Sequence, residues 1–181
     1  MMESDIDRIL LRHEQIHRRV AELGAEIAKD YGEAEAGLTL LPILSGAMIF
    51  VADLIRELPL KMKIALTQIS TYPGHATEPS EPRTVMELVG DLRGRHVIIV
   101  DDILDSGRTL RRVQEMARRH EPASQRTCVL LRKTAKAPPD IAADYVGFDI
   151  DDLFVVGYGL DFGDHYRNYP HIGVLRPEIM P

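Results

Sequence analysis

The stretch VIIVDDILDSGRTL, residues 97–110, sets four β-branched apolar residues directly ahead of a cluster of acids and hydroxyls. A continuous apolar run of this length suits a strand buried on both faces, as in a parallel sheet. Three carboxylates, Asp101, Asp102 and Asp105, crowd the end of that strand. Packed carboxylates repel one another and resist desolvation. A purely structural use is therefore disfavoured, and the strand tip is expected to bind a ligand.

The flanking sequence supplies the frame. A helix starting at about Gly107 buries Leu110, Val113, Met116 and Ala117, and QRTCVLLRK (125–133) reads as another buried strand. Strand, acidic loop, helix and strand form a βαβ unit, which implies a parallel sheet and an α/β fold. Upstream, LTLLPILSG (38–46) is a strand entering a tight turn, AMIFVADLIREL (47–58) a helix, and KMKIALTQISTY (61–72) a half-exposed strand. A short strand near TVMEL and a turn at GDLRGR complete a core spanning about 38–133. At the N-terminus, Ser4 with Asp7 can cap a helix. Ile6, Ile9, Leu10, Ile16, Val20, Leu23, Ile27 and Tyr31 then repeat at helical spacing, predicting one helix over about 5–31. The tail, about 134–181, carries short strands near YVGF, FVVGY and HIGVL and is expected to form a small cap. PGHATEPSEPR (73–83), with three prolines and no core-forming residue, reads as a lid loop.

The 181 residues fit one domain, and 22 Lys and Arg against 28 Asp and Glu give a net charge of -6. That balance disfavours a nucleic-acid coat. The single cysteine, Cys128, excludes an internal disulfide and suits a reducing cytosol. No secretory core or membrane-length apolar run is present, so a cytoplasmic protein is expected.

Ligands of open α/β sheets bind beyond the carboxyl ends of strands. There, Asp105-Ser106-Gly107-Arg108-Thr109 leads into a helix whose first backbone N–H groups can face an anion. Ser106 and Thr109 add hydroxyls, and Gly107 permits a tight approach. Asp101 and Asp102 can accept from a vicinal diol or help hold a metal bound to it. Phosphate at one end and hydroxyls at the other describe a ribose 5-phosphate. No G-x-x-x-x-G-K-[ST] loop or G-x-S-x-G elbow occurs, and GYGLDFG (157–163) has the wrong spacing for a dinucleotide fingerprint.

VIIVDDILDSGRT resembles the diphosphate-ribose signature of type I phosphoribosyltransferases. LLRK (130–133), DYVGFDIDDLFVVGYGLDFGDHYRN (144–168) and IGVL (172–175) are similar to the hypoxanthine-guanine members. The similarity runs from about Leu40 to Leu175. It implies a parallel-sheet core flanked by helices, with a hood formed largely by the C-terminal segment. It also implies Mg²⁺-dependent transfer of ribose 5-phosphate from phosphoribosyl diphosphate to a purine nitrogen.

Carried over position by position, the resemblance makes Asp105 the catalytic acid/base. It assigns Asp101, Asp102, Asp105, Ser106, Gly107, Arg108 and Thr109 to the phosphoribosyl group. Lys133 would donate to the 6-oxo group, Phe154 stack on the purine, and the Val155 backbone meet the base edge. Asp161, also at the base, would bind Mg²⁺, with Asp101 and Asp102 as further metal candidates. Ser45, Gly46 and Arg167 would hold the diphosphate, with Ser45 standing where the family usually has a cation before a glycine. The Leu44–Ser45 peptide can be cis in the family, and Thr71 and Tyr72 match the start of the lid. The implied function is purine salvage on hypoxanthine or guanine, by a homodimer or homotetramer without nucleic acid or membrane. Two other readings are the same reaction on xanthine or another 6-oxopurine, and an RNA-binding regulator with this fold.

Overall fold

The computed structural model describes residues 2–70, 83–141 and 143–179. Its core is a seven-stranded sheet built on β2 (Leu38–Leu44), β3 (Met62–Ile64), β4 (Leu66–Ser70), β5 (Arg83–Val89), β6 (His96–Leu104), β7 (Ser124–Lys133) and β8 (Tyr145–Ile150). The order is β5-β4-β2-β6-β7-β8, with β3 on the first half of β2. All pairings are parallel except β4 with β5. The segment read as one strand over 61–72 is thus interrupted at Ala65, and β3 and β4 occupy successive stretches of the same neighbour.

The apolar run of β6 is buried on both sides, as its composition predicts. Ile98 and Val100 pack with Ile16, Val20, Leu23 and Ile27 of α1 (His13–Tyr31) and Phe50 and Leu54 of α2 (Met48–Leu54). Val97 and Ile99 face Leu110, Val113 and Ala117 of α3 (Arg108–Arg118) on the opposite side. Alternate side chains of one strand therefore anchor two helical layers. No helix among the described residues is long and apolar enough to cross a membrane.

Both ends of the chain also depart from expectation. The N-terminal helix begins at His13, not near residue 5, because Ile6–Leu11 form strand β1. β1 pairs antiparallel with β10 (Ile172–Leu175), and β10 with β9 (Val155–Val156), giving a separate three-stranded hood. Ile6, Val156, Tyr169 and Leu175 form its small core. Ser4 donates to the adjacent Asp5 instead of capping a helix; Gln15 Oε1 accepts from the Arg12 N–H at 2.9 Å where the helix starts. In the tail, expected to form the cap, YVGF instead belongs to β8, which pairs with β7 inside the main sheet. The hood therefore draws on both chain ends.

Candidate active site

Register brings the charged residues together. β6 continues past Val100, so Asp101 and Asp102 lie within the strand and only Asp105 follows it. Leu104 pairs with Arg132, and Lys133 pairs with Ile150. The residues after these pairs, Asp105, Lys133 and Asp152, consequently meet at one end of the sheet. Lys133 Nζ donates to Asp105 Oδ2 at 2.9 Å and to Asp152 Oδ1 at 3.1 Å. Lys136 lies 2.9 Å from Asp152 Oδ2 and 4.0 Å from Asp105 Oδ1. The Lys133 side chain is only 8% exposed, whereas those of the carboxylates are 38% and 40% exposed. A buried ammonium needs such partners, since leaving it unpaired costs several kcal/mol, about 3–5.

Asp101 is buried, and Asp102 half-buried beside it. The Asp102 N–H donates to Asp101 Oδ1 at 3.1 Å. Burial, followed by the charge of Asp102, pushes the Asp101 carboxyl well above the usual range. Burial also raises Asp102, with Arg167 opposing and Asp161 reinforcing that shift. Two desolvated carboxylates reached by the field of a third suit hydroxyl donors or a hard divalent cation. Asp101, Asp102 and Asp161 could contribute to such a site with ligand oxygens. Among the described residues no cluster of three or more such side chains could hold an ion alone.

Glycine lets the remaining segments approach. A Cβ on Gly46 would lie 2.0 Å from Asp102 Oδ2, and one on Gly159 2.2 Å from the Gly46 carbonyl. Gly159 also has φ +105°, outside the ordinary range of L side chains. The turn Leu44-Ser45-Gly46, whose first peptide is cis, is thereby set against Asp102 and the hood loop. Arg167 Nη2 pairs with Asp161 at 2.8 Å and Asp164 at 2.9 Å, and Nη1 donates to the Gly159 carbonyl at 2.9 Å.

Gly107 has φ +70° and precedes α3, with no side-chain cap bond at that helix start. Ser106 and Arg108 are exposed and Thr109 is half-buried. Phe154 is 38% exposed and meets Phe162 edge-to-face at 5.6 Å. Val155 is buried and paired with Val174 in the hood. Thr71, Tyr72 and nearly all of the 73–83 loop lie outside the described residues. Asp152 and Lys136 were not singled out from sequence. Asp152 follows its strand much as Asp105 follows β6, but within DIDD it has the composition of an ordinary polar turn.

A family model described as the phosphoribosyl transferase domain matches residues 8–163. The chain belongs to the phosphoribosyltransferase family. Relatives that it matches over nearly its whole length include hypoxanthine-guanine and hypoxanthine phosphoribosyltransferases. The Bacillus subtilis hypoxanthine-guanine phosphoribosyltransferase is 37% identical over 99% of this chain and 98% of its own. A Staphylococcus aureus hypoxanthine phosphoribosyltransferase crystal structure superposes with TM-score 0.90 at 37% identity, covering 99% and 97% of the two chains. A mutant Trypanosoma cruzi hypoxanthine phosphoribosyltransferase complexed with the product IMP gives TM-score 0.86 at 34% identity, covering 97% and 93%.

The buried Asp101 carboxyl of this phosphoribosyltransferase makes its stability depend on pH. A carboxyl whose native pKa is raised is least favourable to folding above that native value, and the penalty fades as pH falls through it. Asp101→Asn removes the penalty and keeps an amide oxygen for the Asp102 N–H. The ligand-free variant melts about 2–4 °C higher at pH 7, and the gain disappears toward about pH 4. Thermal melts across that range measure it; an unchanged or lower melting temperature at pH 7 contradicts the electrostatic account.

Proposed function

We propose that the chain is a purine-salvage enzyme transferring ribose 5-phosphate from phosphoribosyl diphosphate to hypoxanthine or guanine, yielding IMP or GMP and diphosphate. The observation carrying this reading is the 2.9 Å contact between Lys133 and Asp105. It sets a buried cationic donor beside a carboxylate that can exchange a proton. A bound 6-oxopurine takes a Lys133 N–H on its oxygen. Asp105 Oδ2 then becomes available to the proton-bearing ring nitrogen.

As the other imidazole nitrogen bonds to the ribose C1′, the C1′–diphosphate bond breaks and Asp105 accepts the ring proton. A positioned base contributes about 10²–10⁴ in rate. Asp101 and Asp102 face the ribose diol and offset the positive charge developing on its ring. The free N–H groups at the start of α3, with Ser106, Arg108 and Thr109, bind the 5′-phosphate. Gly46, the Ser45 hydroxyl and Arg167 receive the diphosphate, with Arg167 exchanging its Asp161 contact for ligand oxygens. Phe154 offers its ring to the purine face, and the Val155 backbone meets the base edge.

Mg²⁺ fits this donor set: Asp101, Asp102 and Asp161 would hold it together with ligand oxygens and water. When bound, it neutralises charge on the diphosphate. Xanthine and other 6-oxopurines satisfy Lys133 equally and differ at the 2-position. The test is a spectrophotometric assay with phosphoribosyl diphosphate, Mg²⁺ and hypoxanthine, guanine, xanthine or adenine in turn. Turnover of hypoxanthine or guanine, with adenine inert, supports the reading. Turnover of adenine alone, or of no base, overturns it.

A further inference from the structure

We propose that Asp152 is a positioning residue for the purine base, holding Lys133 in place while Asp105 exchanges its proton, and that Lys136 fixes Asp152 in turn. The inference rests on the base-binding reading of Lys133. Lys133 has two carboxylate partners, at 2.9 Å and 3.1 Å, and only Asp105 is a proton acceptor in the reaction. Once Asp105 takes the purine proton it becomes neutral. A buried ammonium with no other anion beside it would then be stranded.

Asp152 supplies the anion that persists. Its two oxygens go to different lysines, Oδ1 to Lys133 and Oδ2 to Lys136, so the carboxylate plane is fixed at both ends. Lys136, and secondarily Lys133, hold its carboxyl below the usual range, which favours the anion beside Lys133. The backbone reinforces the arrangement. Lys136 N–H and Ala137 N–H both donate to the Lys133 carbonyl, at 3.1 Å and 2.8 Å, folding Lys136 back toward Lys133. Leu153 N–H donates to the Asp151 carbonyl at 2.8 Å, closing the turn around Asp152. Strand register fixes the separation, because Lys133 pairs with Ile150 two residues before Asp152. Two carboxylates and two ammoniums thus alternate around the place where a 6-oxo group would insert. Displacing one contact of Lys133 leaves the other intact.

The experiment compares the full-length wild type with Asp152→Asn, Asp152→Glu, Lys136→Met and Lys133→Ala in steady-state assays with Mg²⁺, hypoxanthine and phosphoribosyl diphosphate. Unsubstituted purine, which lacks the 6-oxo group, serves as a competitive inhibitor. Asp152→Asn raises KM for hypoxanthine by about tenfold and lowers kcat as well. KM for phosphoribosyl diphosphate, the inhibition constant of purine and the melting temperature stay unchanged. Asp152→Glu recovers most of the loss, and Lys136→Met gives a smaller rise of about threefold. An unchanged hypoxanthine KM in Asp152→Asn overturns the proposal. So does equal weakening of hypoxanthine, purine and phosphoribosyl diphosphate, or a loss of folding, either of which assigns Asp152 to structure. An unchanged hypoxanthine KM in Lys133→Ala instead overturns the base-binding reading, and the inference with it.

Discussion

Asp105→Asn lowers kcat with hypoxanthine by about 10²–10⁴-fold, while the two substrate KM values change little. Asparagine keeps the shape and one acceptor oxygen at the tip of β6, so Lys133 retains a contact there as well as the one to Asp152. It cannot take the purine proton. The loss therefore falls on the chemical step rather than on binding, the pattern expected when an interaction made only in the transition state is removed. Steady-state kinetics with both substrates varied separate the terms. A kcat within a few-fold of wild type contradicts the assignment of Asp105. A rise confined to KM would make Asp105 a binding residue instead.

Lys133→Ala has the second large effect. On the proposed reading, removing it takes away the donor to the 6-oxo group, and it leaves Asp105 and Asp152 with Lys136 as their shared cation. Truncating one side of a buried, hydrogen-bonded charge pair costs about 2–5 kcal/mol, which corresponds to a loss of about 30- to 4,000-fold in kcat/KM for hypoxanthine or guanine. Two carboxylates facing one another also lower the melting temperature by about 2–8 °C. Phosphoribosyl diphosphate binding is affected far less, because Asp101, Asp102 and the start of α3 remain in place. Isothermal calorimetry with phosphoribosyl diphosphate and kinetics with the base measure the two arms. Equal loss in both would mean that Lys133 supports the whole site rather than the base.

The sequence shows local features and hides distant pairings. β6, α3 and β7 are legible because a four-residue apolar run, a Gly-bearing turn and a helical repeat follow one another without interruption. β1 is not, because it exists through β10, more than 160 residues away. Ile6, Ile9 and Leu10 also satisfy helical spacing, and nothing local opposes that reading. The true start signal, Gln15 reaching back to Arg12, was masked by the apparently continuous pattern. YVGF reads as a short strand in either sheet, and its place beside β7 depends on strand order, which no periodicity encodes. The site divides in the same way. The carboxylates of β6 announce themselves by crowding at the end of an apolar run. Asp152 and Lys136 lie in polar turns and become significant only once the parallel register of β7 and β8 sets them around Lys133 and Asp105.

On the proposed reading, the end of β6 holds a purine nucleotide, with its base at Lys133 and its phosphate at the start of α3. A crystal structure of the chain with IMP tests it most directly. The expected complex has the purine 6-oxygen within hydrogen-bonding distance of Lys133 Nζ, the ribose hydroxyls at Asp101 and Asp102, and the 5′-phosphate on the N–H groups of residues 106–109. IMP seated elsewhere, as in the cavity lined by His13, His17, Asp53 and Arg56, or with its base turned away from Lys133, would contradict it.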